Sequence, residues 1–329
     1  MTDNKIDLSA LPVPLFGPAM GIQGLALVLL ESWEVLRPVS VTLSAISLMI
    51  LSVVALFQII RSFVYPSEVS GDIRSPATVS FYAQPAVTVL LAAEVFAQWH
   101  TAGVLLTALG VALAVPAAIA AMIANTGSDL PGAVPVQLIP WIAVLMIPIT
   151  AHTHIGVVWS WTALGFAAAG LAQVYFKTAS SLNPVAAPLI PTTTIHLAVP
   201  SVVCVDLAVL SPENPLVDVS LGAAVFVFVS RLVRLRSLAS CPFGLSWWAL
   251  AMPFSALVLA AAVVAAPQSG WWALVWVGAG INVVIVAWVG YRTIVALMTA
   301  TLIPTRTSVP RPPERTQPIG APTEMSTHR

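Results

Sequence analysis

Few side chains in this 329-residue sequence can do chemistry inside the long apolar runs that fill it. Glu94 and Asp206 stand toward the far ends of two such runs, and His196 stands inside the second. Thr192, Thr193 and Thr194 follow Pro191 directly. A carboxylate or an imidazole in an apolar run is a candidate proton or pH-sensing site, because such groups are costly to keep there. Each also has a plainer reading. Both carboxylates lie within two turns of a surface, where snorkelling or a structural pair accounts for them. A lone histidine serves as a hydrogen-bonded packing group, and threonine hydroxyls either hold helices together or offer weak sites to an anion.

Enzyme chemistry finds no foothold. No HExxH, CxxC, catalytic serine motif or phosphate loop is present, so neither a metal nor a cofactor is expected. His100, His152 and His154 are expected in loops on the outer side, without zinc-site spacing. Cys204 and Cys241 are expected near opposite faces, too far apart for a disulfide.

The elements that position these residues follow from composition. Hydrophobic residues make up 58% of the chain and charged ones 8%, against roughly 25% charged in a soluble domain. Lipid bilayer must supply the missing solvent. Spanning segments must satisfy their own backbone groups, and runs of about 20 residues apolar all round suit helices rather than barrel strands. The formal net charge is zero, which gives no footprint for nucleic acid. The fold class expected is an all-α integral membrane protein.

Ten spans are predicted, at 12–30, 40–60, 77–97, 102–124, 136–151, 154–176, 184–209, 217–236, 247–267 and 271–300. The split between the fifth and sixth, at AHTH, has the shortest connection. With the N-terminus inside, twelve of the thirteen Lys and Arg residues fall on the cytoplasmic side and Arg37 alone falls outside. Such an asymmetry sets the orientation of a polytopic protein in the cell membrane, with both termini cytoplasmic. MTDNKIDLSA makes a poor secretory leader, so the first span is expected to stay. Residues 1–303 form the transmembrane domain, and 304–329, rich in Pro, Thr, Arg and Glu, are expected to be a disordered cytoplasmic tail.

Proline falls unevenly. Every odd-numbered span has it in the interior or first turns: Pro14 and Pro18, Pro85, Pro140 and Pro148, Pro191 and Pro200, and Pro253. Among the even spans only the fourth does, at Pro116. Proline kinks a helix and frees a carbonyl, which water in a pore can satisfy. Five kinked helices alternating with five straighter ones suggest five hairpins, the kinked members forming an inner ring. No lysine or arginine lies deep in the odd spans, consistent with conduction through weak, multiple sites rather than a deep trap.

Several stretches resemble the tellurite-resistance/dicarboxylate transporter family, which includes the slow-type anion channels of plant guard cells. LPVPLFGPAMGIQGLAL in the first span matches an apolar-Pro lead, Phe-Gly, then Gly-x-x-Gly-Leu. YPSEVSGDIRSPATVSF resembles a family stretch with Tyr-Pro, an acid, Arg-His-Pro and a later Phe. Ser75 stands here in place of the histidine. PTTTIHLAVPS and SWWALAMPFSAL resemble family stretches of the seventh and ninth spans. The resemblance covers most of the membrane portion and implies five hairpins around a central pore, one pore per protomer, in a homotrimer. It implies a small anion as substrate: chloride or nitrate in a channel, a C4-dicarboxylate or sulfite in a carrier or exporter. Phe16, Pro18, Phe81, Pro85, Pro148, Thr192, Thr193, Pro200 and Pro253 are the expected pore lining. The family's plugging phenylalanine aligns with Met252, a departure, and Phe254 lies two residues further on.

Overall fold

The computed structural model describes residues 8–126, 134–179, 185, 187–265 and 271–299. The expected tail, 304–329, lies outside them. Among the described residues the chain is helical, with no strand. The helices are α1 (Gly17–Ser32), α2 (Arg37–Val64), α3 (Pro66–Arg74), α4 (Pro76–Phe81), α5 (Gln84–Val95), α6 (His100–Thr126) and α7 (Ile139–Ile155). They continue with α8 (Val157–Ala179), α9 (Ile195–Leu210), α10 (Leu216–Leu232), α11 (Leu235–Ala239), α12 (Ala251–Val264) and α13 (Trp272–Met298). Nine segments among the described residues are long and apolar enough to cross a membrane. The remaining expected span, at α10, is a helix of 17 residues.

Sequence neighbours pair as hairpins: α1 with α2, α5 with α6, α7 with α8, α9 with α10, and α12 with α13. The first member of each pair also packs on the first members of two others, closing a ring α1–α5–α7–α9–α12 back to α1. Burial separates the two layers. In the most apolar window of each inner segment 56–94% of residues are buried, against 22–28% in the outer segments that reach the same length.

The inner segments share a second property. Four begin with a short 3-10 stretch before the α-helix: Val13–Phe16, Pro135–Leu138, Ala187–Thr194 and Leu245–Leu250. The fifth, α5, follows the separate short helix α4. Prolines sit at or near these junctions, where the missing N–H and fixed φ disfavour a continuous α-helix. α6 and α13 instead run 27 residues unbroken.

The outer helices dock through small residues. On α6 the buried positions are Gly103, Thr107, Gly110, Ala114, Ala118, Ala121 and Asn125, a stripe at spacings of three and four. On α2 Ser40, Ser44 and Ser47 face α1 and donate to Ala26 O (2.6 Å), Gln23 Oε1 (3.0 Å) and Ala19 O (2.7 Å). In lipid the apolar effect does not drive helices together, so close approach and hydrogen bonds of about 0.6 kcal/mol each must do so.

Two local expectations change. The break expected at AHTH falls at Gly156, whose φ of 82° lies where a Cβ is costly. His152 is therefore within α7 rather than in a loop, its Nδ1 close to the Pro148 and Ile149 carbonyls (3.2 and 3.0 Å). His100 opens α6, and the His154 side chain lies outside the described residues.

Candidate functional site

The closed ring meets at its axis on aliphatic side chains and methionine. Small cavities lie there among the described residues, two of them walled by inner helices. The first, about 20 Å³, is walled by Gly24, Leu27 and Val28 of α1, Leu91 of α5, Met146 and Ile149 of α7, and Val202 and Val205 of α9. Met252, Ser255, Ala256 and Leu259 of α12 complete it. The second, about 10 Å³, is walled by Met20, Val87, Ile139, Ile142, Ile195, Ala249, Met252 and Pro253. Every α-helical wall residue comes from an inner helix, and all five inner helices contribute to each cavity or to its lead-in. Met252 borders both and is 4% exposed. It is the wall residue that the two cavities have in common.

The wall is nearly without donors. The Ser255 hydroxyl gives its proton to Ala251 O (2.9 Å) and accepts from Asn282 Nδ2 (2.8 Å). Rooms this small hold at most a water or two and, lined by apolar groups, stay dry. An anion cannot shed its hydration into such a space.

Met252 is placed by a close contact between two stretches far apart in sequence. A Cβ on Gly21 would lie 2.6 Å from the Trp248 ring, so only glycine lets α1 approach there. The indole is fixed from its other end by Trp248 Nε1–H donating to Thr293 Oγ1 (2.9 Å). Trp248 begins the turn that leads to Met252, so Gly21 and Trp248 set where the axial side chain stands.

The other expected residues are distributed unevenly. Of the expected lining, Pro253 borders an axial cavity, whereas Phe16, Pro18, Phe81, Pro85, Pro148, Thr192, Thr193 and Pro200 border neither. Phe16 is buried against Val13, Ala19, Leu51 and Val89, toward α2. The physical reason for the prolines is that a kink acts through the backbone and does not require the ring to face the axis. Thr192 returns its hydroxyl to Leu189 O (2.6 Å), and the Thr194 hydroxyl is shared between Pro191 O of its own segment and Ala249 O across from it (2.7 Å each). Phe254 packs with Val28, Val258, Val275 and Ala279 and meets Phe228 at 5.8 Å between centroids, on the outward side of α12.

The titratable candidates separate too. His196 faces α8, its Nδ1 3.4 Å from the Tyr175 hydroxyl. Asp206 departs from the surface pair expected of it. It is 0% exposed, and neither carboxylate oxygen has a hydrogen-bond partner among the described residues. Glu94 is partly buried at the same end of the ring, where it interacts electrostatically with Glu31. Sequence reasoning passed over Glu31. The signal that could have found it is its spacing on α1, four residues beyond Leu27. It also passed over the ion pair Arg61 Nη1–Asp72 Oδ2 (2.7 Å), which ties the end of α2 to α3.

No curated protein matches the chain. The family model of voltage-dependent anion channels matches residues 10–303, which include the inner ring and all five hairpins. The chain therefore belongs to the voltage-dependent anion channel family, the one its four motifs resemble and which includes the slow anion channels.

Proposed function

We propose that the chain conducts small anions along the axis of its own five-hairpin ring, with Met252 as the gate and Pro253 beside it in the lining. The observation that carries this reading is the position of Met252 in the wall of both axial cavities. A thioether with three rotatable bonds can leave the axis by changing rotamer, and the opened space would then wet. Ten spans, with α10 as the eighth, and both termini in the cytoplasm complete the topology; 17 residues lie within the spanning range. The family resemblance supports a homotrimer in the cell membrane with one pathway in each protomer.

A second reading is a proton-coupled C4-dicarboxylate carrier or a sulfite exporter. Asp206, buried without a partner, favours it, with Glu94 and His196 as further titratable groups. Flux from liposomes of purified protein, measured for chloride, nitrate, sulfite and malate, tests both. Current that reverses at the anion's equilibrium potential whatever the proton gradient identifies a channel. A reversal that moves with the proton gradient identifies the carrier.

A further inference from the structure

Among the residues that wall the two axial cavities, Ser255 alone carries a side-chain proton donor. It follows Met252 by three residues on α12, so the two share a helix face. Ser255 stands roughly 4.5 Å further along, at 1.5 Å per residue. Its hydroxyl lies where α1 presents Gly24, another wall residue. A Cβ on Gly24 would come within 2.8 Å of Ser255 Oγ, so any larger residue there would crowd the hydroxyl.

Behind Ser255 stands Asn282, on the outer helix α13. It is 0% exposed, and its amide nitrogen donates to Ser255 Oγ (2.8 Å), while its Oδ1 has no partner among the described residues. A buried amide with one group unpaired is costly, and a leucine in its place would carry no such cost. Its buried neighbours one turn either way on α13, Ala279 and Val286, are apolar. Asn282 thus reaches inward from the outer layer to a single atom, the serine oxygen.

That contact fixes what the hydroxyl can offer. A hydroxyl has one proton and two lone pairs. Asn282 occupies a lone pair, and the proton goes to Ala251 O (2.9 Å). In a helix that carbonyl is also the acceptor for the amide of residue 255, so turning the serine proton away does not orphan it. The proton can swing toward the cavity by rotation about one bond, while Asn282 keeps the oxygen in place. Ser255 therefore meets a visitor as a donor, which suits an anion and not a cation.

We infer that Ser255 is a specificity-determining residue of the pathway, the side-chain donor that receives a partly dehydrated anion once Met252 has moved aside, and that Asn282 positions it from the outer layer. The inference rests on the proposed conduction of anions past Met252. A hydroxyl in an otherwise apolar passage gains strength from the low dielectric, yet carries no full charge that would trap the ion. Chloride holds its water more tightly than nitrate does, so a donor that replaces lost water matters more to chloride.

The test is efflux of chloride and of nitrate from liposomes of full-length protein, read as the ratio of the two rates in a Met252→Ala background. Ser255→Ala should lower the chloride-to-nitrate ratio several-fold, and Asn282→Leu should lower it in the same direction by less. Ser255→Thr, which restores a hydroxyl, should bring the ratio back. A protein merely loosened by substitution loses both fluxes together and leaves the ratio alone. An unchanged ratio in Ser255→Ala overturns the inference, as does an equal fall in Ser255→Ala and Ser255→Thr. A ratio that moves with Ser255→Ala but not with Asn282→Leu strikes out the role given to Asn282. No flux of either anion in Met252→Ala with Ser255 intact sinks the anion pathway itself instead.

Discussion

The Thr194 hydroxyl lies 2.7 Å from the Ala249 carbonyl and equally close to the Pro191 carbonyl of its own segment, so its one proton is shared between them; Ala249 is the residue four before Pro253. In an unbroken α-helix its carbonyl would accept from the amide at 253, and proline has none to give. A side chain of the seventh span thus offers its proton to a carbonyl that Pro253 leaves without its helical amide, three residues before Met252. Replacing Thr194 by Val keeps the shape and removes the donor. We expect a loss of about 1 kcal/mol, read as a lower melting temperature in detergent, with Thr194→Ser close to wild type. Equal melting of the Val and Ser variants would show that the bond contributes nothing.

Gly21→Ala puts a methyl group into the Trp248 ring, which Thr293 holds from the other side. Overpacking of this kind costs roughly 1–3 kcal/mol. Gly280→Ala, on α13 with open space around the new carbon, is the comparison and should melt like wild type. The same loss in both variants would mean that the contact is not the constraint.

The Arg61–Asp72 pair sits where α2 hands over to α3, with the arginine side chain 5% exposed and the aspartate 23%. Asp72→Asn leaves a buried cation unpaired, which costs roughly 3 kcal/mol. Adding Arg61→Met should return much of that stability, because the charge goes with its partner. A double variant less stable than Asp72→Asn would contradict this and point to a role for Arg61 apart from the pair.

Topology is open to a direct reading. A reporter fused after Arg329 should report the cytoplasm, and one placed at 211–215, between α9 and α10, should report the exterior. The same answer from both would remove α10 from the count of spans.

Much of the ring was legible because proline leaves marks that packing does not erase. Pro85, Pro148, Pro200 and Pro253 mark helices that form the inner layer. What the prolines could not tell is which face of each helix turns inward. Periodicity usually supplies that, but these helices are apolar on all sides, so no polar face marks the outside. The small-residue stripe on α6 carried the information in residue size, as did Gly21 against Trp248. Asp206 stands four residues before the end of α9 and is nonetheless fully buried, so distance from a helix end in sequence does not measure depth. Phe254 could be set apart from Met252 by its angle on the helix, and the structure adds what occupies that side, Phe228 and Val275.

The measurement that bears most directly on the central claim is anion efflux from liposomes holding wild type, Met252→Ala, Met252→Phe and Phe254→Ala. Met252 borders both axial cavities, and truncating it should enlarge the space between the inner helices. Chloride and nitrate flux should therefore rise in Met252→Ala and fall or stay closed in Met252→Phe, while Phe254→Ala stays at the wild-type level. A pathway opened by Phe254→Ala and untouched by Met252→Ala would contradict the account, and so would flux that none of the three changes.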